Sequence, residues 1–153
     1  MIYHGRDAIA ALESAEGIEL SEIERRTVMV EGYATEPYQD TKGIWTNKAG
    51  QTGEWLNRPF RDAFLHHVER AKKILPDWRT YPTGLKAELM QACYRGDLTG
   101  SPKACQFMRS GLWEAAAVEW LNHKEYKSPD TPKGIKKRIL AVHYALMLME
   151  CQT

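Results

Sequence analysis

Along most of the chain apolar residues recur at three- and four-residue intervals, the spacing of one buried helix face. Residues 7–16 put Ile9, Ala10 and Leu12 on such a face and stop at Gly17, a helix C-terminal signal. Ser21-Glu22-Ile23-Glu24 is a capping box: the serine hydroxyl serves the first free amides and Glu24 reaches back to the serine amide. The helix it opens carries Ile23, Val28, Met29 and Val30 and ends at Gly32, which places Glu31 at its C-terminus. Between 33 and 55 the pattern breaks. Gly, Thr, Asn, Lys and Gln alternate with Tyr38, Ile44 and Trp45, and Lys42-Gly43 and Ala49-Gly50 read as turns, so a small β-hairpin or sheet is predicted. Helical spacing returns over 58–75, with Phe60, Phe64, Leu65, Val68 and Ile74, until Pro76 stops it. Further helices are predicted over 85–95, ending near Gly96, and from Ser101-Pro102 as N-cap and first position. Two more are predicted over 112–122, around Trp113, Ala116, Ala117, Trp120 and Leu121, and over 132–149.

These elements predict an α+β fold with a small β-hairpin lobe, a larger mostly helical lobe and a cleft between them. The 153 residues suit a single domain, divided into an N-terminal helical extension (1–20), a helix and β-lobe (21–56) and a helical lobe (57–153). The extension is expected to be dispensable for activity. A hydrophobic share of 43% and a charged share of 27% exclude a disordered chain. The net charge of +1 argues against a nucleic-acid binder that relies on bulk electrostatics. It conceals an asymmetry: residues 1–31 are acidic, while 120–140 carry Lys124, Lys127, Lys133, Lys136, Lys137 and Arg138. That basic end suits either a polyanion or plain solvent.

Cys93, Cys105 and Cys151 are an odd number without C-x-x-C spacing, which speaks against a disulfide framework or a zinc site and for buried, reduced thiols at 93 and 105. The histidines show no metal spacing, and no metal or cofactor is expected. Arg6, Asp7 and Glu13 interrupt the N-terminus before any secretory pattern develops, and Ile139 to Met149 is too short to span a bilayer. The expectation is cytosolic synthesis without membrane insertion, with a separate route to any target outside.

Glu31 is followed nine residues on by Asp40, and Asp40 six residues on by Thr46, all around the one β-like segment. Glycoside cleavage needs a proton for the leaving oxygen and stabilisation of an oxocarbenium-like transition state. An acid at a helix C-terminus meets the negative end of the dipole, which favours its protonated form. An acid in a polar turn favours the ionised form, so two carboxyls in such unlike surroundings suit the two roles. A threonine hydroxyl can hold the attacking water. On the residues alone, without the spacing, Glu31 reads rather as a surface helix acid and Asp40 as a turn former before Lys42-Gly43.

The stretch VEGYATEPYQDTKGIWT resembles phage-type lysozymes, glycoside hydrolase family twenty-four. Their pattern is a Glu, eight residues, an Asp or Cys, five residues and a Thr; Gly32, Tyr38 and Gly43 also match. YRGDLTGSPKACQFMRSGLWEAAAVEWLNHKEYKS resembles the family's second-lobe segment, so the resemblance covers about residues 20–145. After Thr46 the family's Ile/Val-Gly-x-Gly-His becomes Asn47-Lys48-Ala49-Gly50-Gln51, which keeps only the last glycine.

The resemblance implies a lysozyme-like fold, with Glu31 as general acid and Asp40 and Thr46 as its catalytic partners. It implies hydrolysis, with inversion, of the β-1,4 bond between N-acetylmuramic acid and N-acetylglucosamine in bacterial peptidoglycan. It also implies an endolysin for phage host-cell lysis, waiting in the host cytoplasm and reaching the wall through a holin. Gly50 in the floor of the sugar site, Tyr94 and Arg95 near the lobe junction, and Lys124 and Tyr126 as binders of sugar or stem-peptide carboxylates are the candidate substrate-binding residues. Arg95 with Asp97 can also be a turn brace, and the lysine and tyrosine a solvated face. Trp45 and Trp55 can stack on sugars or fill core. A monomer is expected. The alternatives are a lysozyme delivered by a virion or secretion system with residues 1–20 as a docking element, or an inactive lysozyme-like wall-binding module. A helical nucleic-acid binder working through Lys133 to Arg138 is a third, against which the near-neutral charge counts.

Overall fold

The computed structural model describes residues 1–152. It forms two compact units, Met1–Val68 and a second from Glu69 onward. In the first, β1 (Ile2–Tyr3), β2 (Tyr33–Gln39), β3 (Trp45–Lys48) and β4 (Gln51–Thr52) form one antiparallel sheet in the order β1-β2-β3-β4, alongside α1 (Gly5–Glu16) and α2 (Glu22–Glu31). α3 (Phe60–Ile74) runs from the first unit into the second. The second unit is helical: α4 (Thr83–Tyr94), α5 (Pro102–Arg109), α6 (Trp113–Trp120), α7 (Lys124–Lys127) and α8 (Lys133–Gln152). No helix of the described residues is long and apolar enough to cross a membrane.

The signals that end and begin helices act as their chemistry requires. α1 stops at Gly17, whose left-handed φ of 64° aims its N–H back at the Glu13 carbonyl. α2 opens on the capping box, with the Ser21 hydroxyl accepting from the Glu24 amide at 3.2 Å and Glu24 accepting from the Ser21 amide at 2.9 Å.

Glu24 has a second task. Arg61 of α3 grips it with Nε on Oε2 and Nη2 on Oε1, each at 2.9 Å. Burial works to raise the Glu24 carboxyl's pKa. The Arg61 hydrogen bonds, the Ser21 amide and hydroxyl and the Arg61 charge outweigh it and leave it lowered. A lowered carboxyl contributes stability that is whole above the ordinary glutamate range and is lost as pH falls through its folded value. Arg61→Ala is therefore expected to destabilise the protein by about 1 kcal/mol at neutral pH, a figure reduced for the solvent around a guanidinium that is 41% exposed. The gap from wild type should narrow as the pH drops below about 4.5. Chemical denaturation at pH 7 and pH 3 checks both statements.

The first twenty residues are no appendage. β1 pairs with the start of β2, Ile2 opposite Ala34 and Tyr3 opposite Tyr33. The Tyr3 carbonyl passes so close to Gly32 that a β-carbon there would lie 2.9 Å from it. Ala8 and Leu12 are fully buried, and Glu16 accepts from the Phe60 amide at 2.8 Å. The sheet unit thus runs from 1 to 68, in place of an extension ending at 20 and a β-lobe ending at 56. Cutting away 1–20 is therefore expected to cost stability: truncating Leu12 alone would remove about 2–5 kcal/mol of packing.

In the helical unit Trp120 is fully buried and donates its indole N–H to the Ile139 carbonyl at 3.1 Å, locking α6 to α8. Ala116, Ala117, Val142 and Leu146 pack beside it without exposure. Arg138 is not a free basic side chain: Nε and Nη2 bind Oε1 and the carbonyl of Gln91 at 2.8 and 2.9 Å, and Gln91 returns a bond to the Arg138 carbonyl. This brace between α4 and α8 removes one cation from the proposed polyanion stripe. Cys93 and Cys105 are buried thiols in no disulfide, and burial pushes both up to about 11.

Candidate active site

The Glu31-to-Thr46 constellation lies entirely in the sheet unit, and three turns build it. At the first, α2 ends at Gly32 (φ 79°) and the chain enters β2 at once, so the half-buried Glu31 side chain leaves the last helical turn beside the sheet. At the second, Asp40 closes the β2–β3 hairpin. Its Oδ1 accepts from the Lys42 and Ile44 amides at 2.8 and 2.9 Å, and its own amide donates to the Ile44 carbonyl at 2.9 Å. Oδ2 makes no hydrogen bond to another described residue, so one carboxylate oxygen fixes the turn and the other keeps its lone pairs uncommitted.

The third turn, Ala49-Gly50, brings the chain back beneath Glu31. Gly50 has φ 64°, and a β-carbon there would stand 2.6 Å from Glu31 Oε2 and 3.0 Å from its Cδ. The carboxyl therefore lies directly on the glycine backbone, which accounts for a glycine at this position twice over.

Thr46 is 6% exposed and sits opposite Tyr38 in the β2–β3 ladder. Its hydroxyl donates to the Ile44 carbonyl at 3.1 Å, which leaves the oxygen lone pairs as acceptors. Tyr38, Asp40 and Thr46 share one sheet face by strand alternation and cross-strand register. The electrostatics agree: the Tyr38 phenol is raised by burial, then by the charges of Glu31 and Asp40, so both acids lie near it.

Gln51 stands where the resembled family has histidine. It is 2% exposed and donates to the Trp55 and Arg58 carbonyls at 2.8 and 2.7 Å, so here the position braces the segment after the sheet. Trp45 points to the face opposite Thr46 and is 55% exposed, while Trp55 stacks on His66 at 4.9 Å with the Arg58 guanidinium 5.0 Å from its ring.

The other candidate binding residues lie in the helical unit. Tyr94 ends α4 and is half-buried, as is Tyr126 in α7. Arg95 and the exposed Lys124 line a pocket of about 570 Å³. Arg95 is the hub of a network of which the sequence suggested only the Asp97 pair. It donates to Asp97 Oδ2 at 3.2 Å and to Glu125 Oε1 at 2.8 Å, and His123 Nε2 meets Asp97 Oδ1 at 3.1 Å. Asp97, His123 and Glu125 bring three ligand-type atoms within 4.8 Å of one another. They do not suit a metal. His123 Nδ1 accepts the Glu125 amide at 3.1 Å, which assigns the ring proton to Nε2 and leaves no free ring lone pair, and the Arg95 guanidinium already binds both carboxylates. Only folding brings Asp97 to His123, 26 positions apart, so no local signal could have found the group.

The architecture is similar to that in the crystal structure of the active form of P1 phage endolysin Lyz. The TM-score is 0.65 over 92% of this chain and 92% of that one, at 13% sequence identity. This chain has a phage endolysin fold. No family model matches the sequence, and neither does any curated protein. The four-strand sheet followed by a helical unit is thus the lysozyme-like α+β architecture that the motif led us to expect, with β1 added to the predicted hairpin.

Proposed function

We propose that the protein is a peptidoglycan hydrolase, a lysozyme that cleaves the β-1,4 bond between N-acetylmuramic acid and N-acetylglucosamine. The observation that carries this reading is the Glu31 carboxyl seated on Gly50, with Asp40 and Thr46 on the adjoining sheet face, in a chain of endolysin fold. Glu31 delivers its proton to the glycosidic oxygen, and the C1–O bond breaks as the sugar takes on oxocarbenium character. Asp40 Oδ2 stabilises that charge and accepts one proton of a water whose other hydrogen rests on Thr46 Oγ1. The water attacks C1 from the face opposite the leaving group and inverts the anomeric centre. Asp40 then carries the proton that the next cycle needs at Glu31, and solvent exchange returns it. No metal or cofactor takes part.

The near-neutral chain acts as a monomer on the bacterial wall. The endolysin fold supports a role in phage host lysis, from the host cytoplasm and through a holin-type lesion.

Proton NMR of fresh digests of a β-linked peptidoglycan substrate tests the scheme. The α-anomer is the expected first product. A β-anomer, or a sugar ester trapped on Asp40, overturns the inverting mechanism and requires the carboxyls to stand about 5–5.5 Å apart in place of roughly 6.5–9.5 Å. If no reducing ends are released at all, the hydrolase reading itself fails.

A further inference from the structure

Tyr38 has no role in the scheme above, yet the fold puts it at the middle of the site. It lies two residues before Asp40 on the same strand face and directly opposite Thr46. Along the hairpin the Glu31–Gly50 contact is at one end and the Asp40 turn at the other, so Tyr38 stands between the two acids. The side chain is half-buried, and its hydroxyl makes no hydrogen bond to any described residue.

A count of donors shows what that hydroxyl is for. The Thr46 hydrogen is committed to the Ile44 carbonyl. Asp40 is an acceptor, and the Glu31 proton is spent on the leaving oxygen. Among these four side chains only the Tyr38 O–H remains to donate to a substrate rich in acceptor oxygens. We propose that Tyr38 is a substrate-contacting residue whose phenol O–H hydrogen-bonds an oxygen of the sugar that carries the scissile bond. This deepens the hydrolase reading and rests on it. Burial and the two acidic neighbours, Glu31 from the end of α2 and Asp40 from the β2–β3 turn, hold the phenol protonated beyond its ordinary range. The donor therefore persists wherever the acids work. Hydrogen bonds of this kind strengthen as the sugar distorts toward the transition state, so the loss should fall on kcat more than on KM.

The test is Tyr38→Phe on purified peptidoglycan, with reducing ends counted. The expected result is a kcat lower by about 10- to 100-fold, KM changed less than threefold, and an unchanged melting temperature, since the O–H removed has no partner among the described residues. A ring-carbon NMR titration assigned by Tyr38→Phe adds a readout independent of turnover. The Tyr38 ionisation midpoint should fall in both Glu31→Gln and Asp40→Asn. Wild-type kcat in Tyr38→Phe, a kcat loss that tracks a fallen melting temperature, or a midpoint unmoved in either acid variant overturns the assignment. An active wild type with a full-rate Tyr38→Phe overturns this inference alone. A wild type that releases no reducing ends removes the hydrolase reading and the inference together.

Discussion

Glu31→Gln should lower the release of reducing ends from peptidoglycan by about 10³-fold while leaving the fold intact, because it removes the proton donor and keeps the side chain's size. Glutamine has the same length and shape, so the side-chain end still rests on Gly50, where little else fits. A neutral group at the last turn of α2 is also no worse placed than a carboxylate against the negative end of a helix dipole. The melting temperature is therefore expected to be unchanged or slightly raised. A zymogram on embedded cell walls, run beside thermal denaturation of the same preparations, reads both quantities. Clearing at close to the wild-type rate would mean that another group is the acid. Lost clearing together with a collapsed melting temperature would mean that Glu31 is a structural residue.

Gly50→Ala should be nearly as damaging, for a reason that separates position from chemistry. The added methyl would enter 2.6 Å from Glu31 Oε2, so the carboxyl must swing away. In energy that is a small movement, since the displaced atoms are the end of a flexible side chain. In catalysis it is a large one, because a shift of about 1 Å in a reacting group costs about 10²-fold in rate. The left-handed backbone at Gly50 adds about 1–2 kcal/mol of strain for alanine.

Gly43→Ala is the control. Gly43 also has positive φ, 78°, but a β-carbon there meets nothing within 4 Å. Both variants should lose similar stability by denaturant titration, and only Gly50→Ala should lose activity. Equal activities would show that Glu31 need not rest on Gly50 to work.

What could be read from the sequence divides along physical lines. Local interactions announce themselves. The capping box at Ser21, the stops at Gly17 and Gly32 and the turns around Gly43 and Gly50 each follow from side chains within four residues of the backbone they serve. The Glu31, Asp40 and Thr46 spacing was readable because one short α-to-β excursion holds all three.

Two-residue β1 has no periodicity to detect and exists only through its pairing with a strand about thirty positions away. α7, four residues long, is equally invisible to spacing. The seating of Glu31 on Gly50 and the ring of bonds around Arg95 depend on side-chain directions that a linear pattern does not encode. Tyr38 falls between these cases: it was readable as part of the motif, but its uncommitted donor was not.

The short first strand also bears on self-association. An exposed strand edge is a template on which a second chain can add, and a sheet this small has few ways to hide one. β1 covers the outer edge of β2 only at Tyr33 and Ala34, with the Thr35 amide taken by the Met1 carbonyl. Beyond that point β2 presents Glu36, whose side chain is 79% exposed, and then Pro37, which has no N–H to offer. A charge and a missing donor leave an incoming strand an interrupted ladder just where β1 gives out, so the sheet guards its own border against recruitment into a larger one.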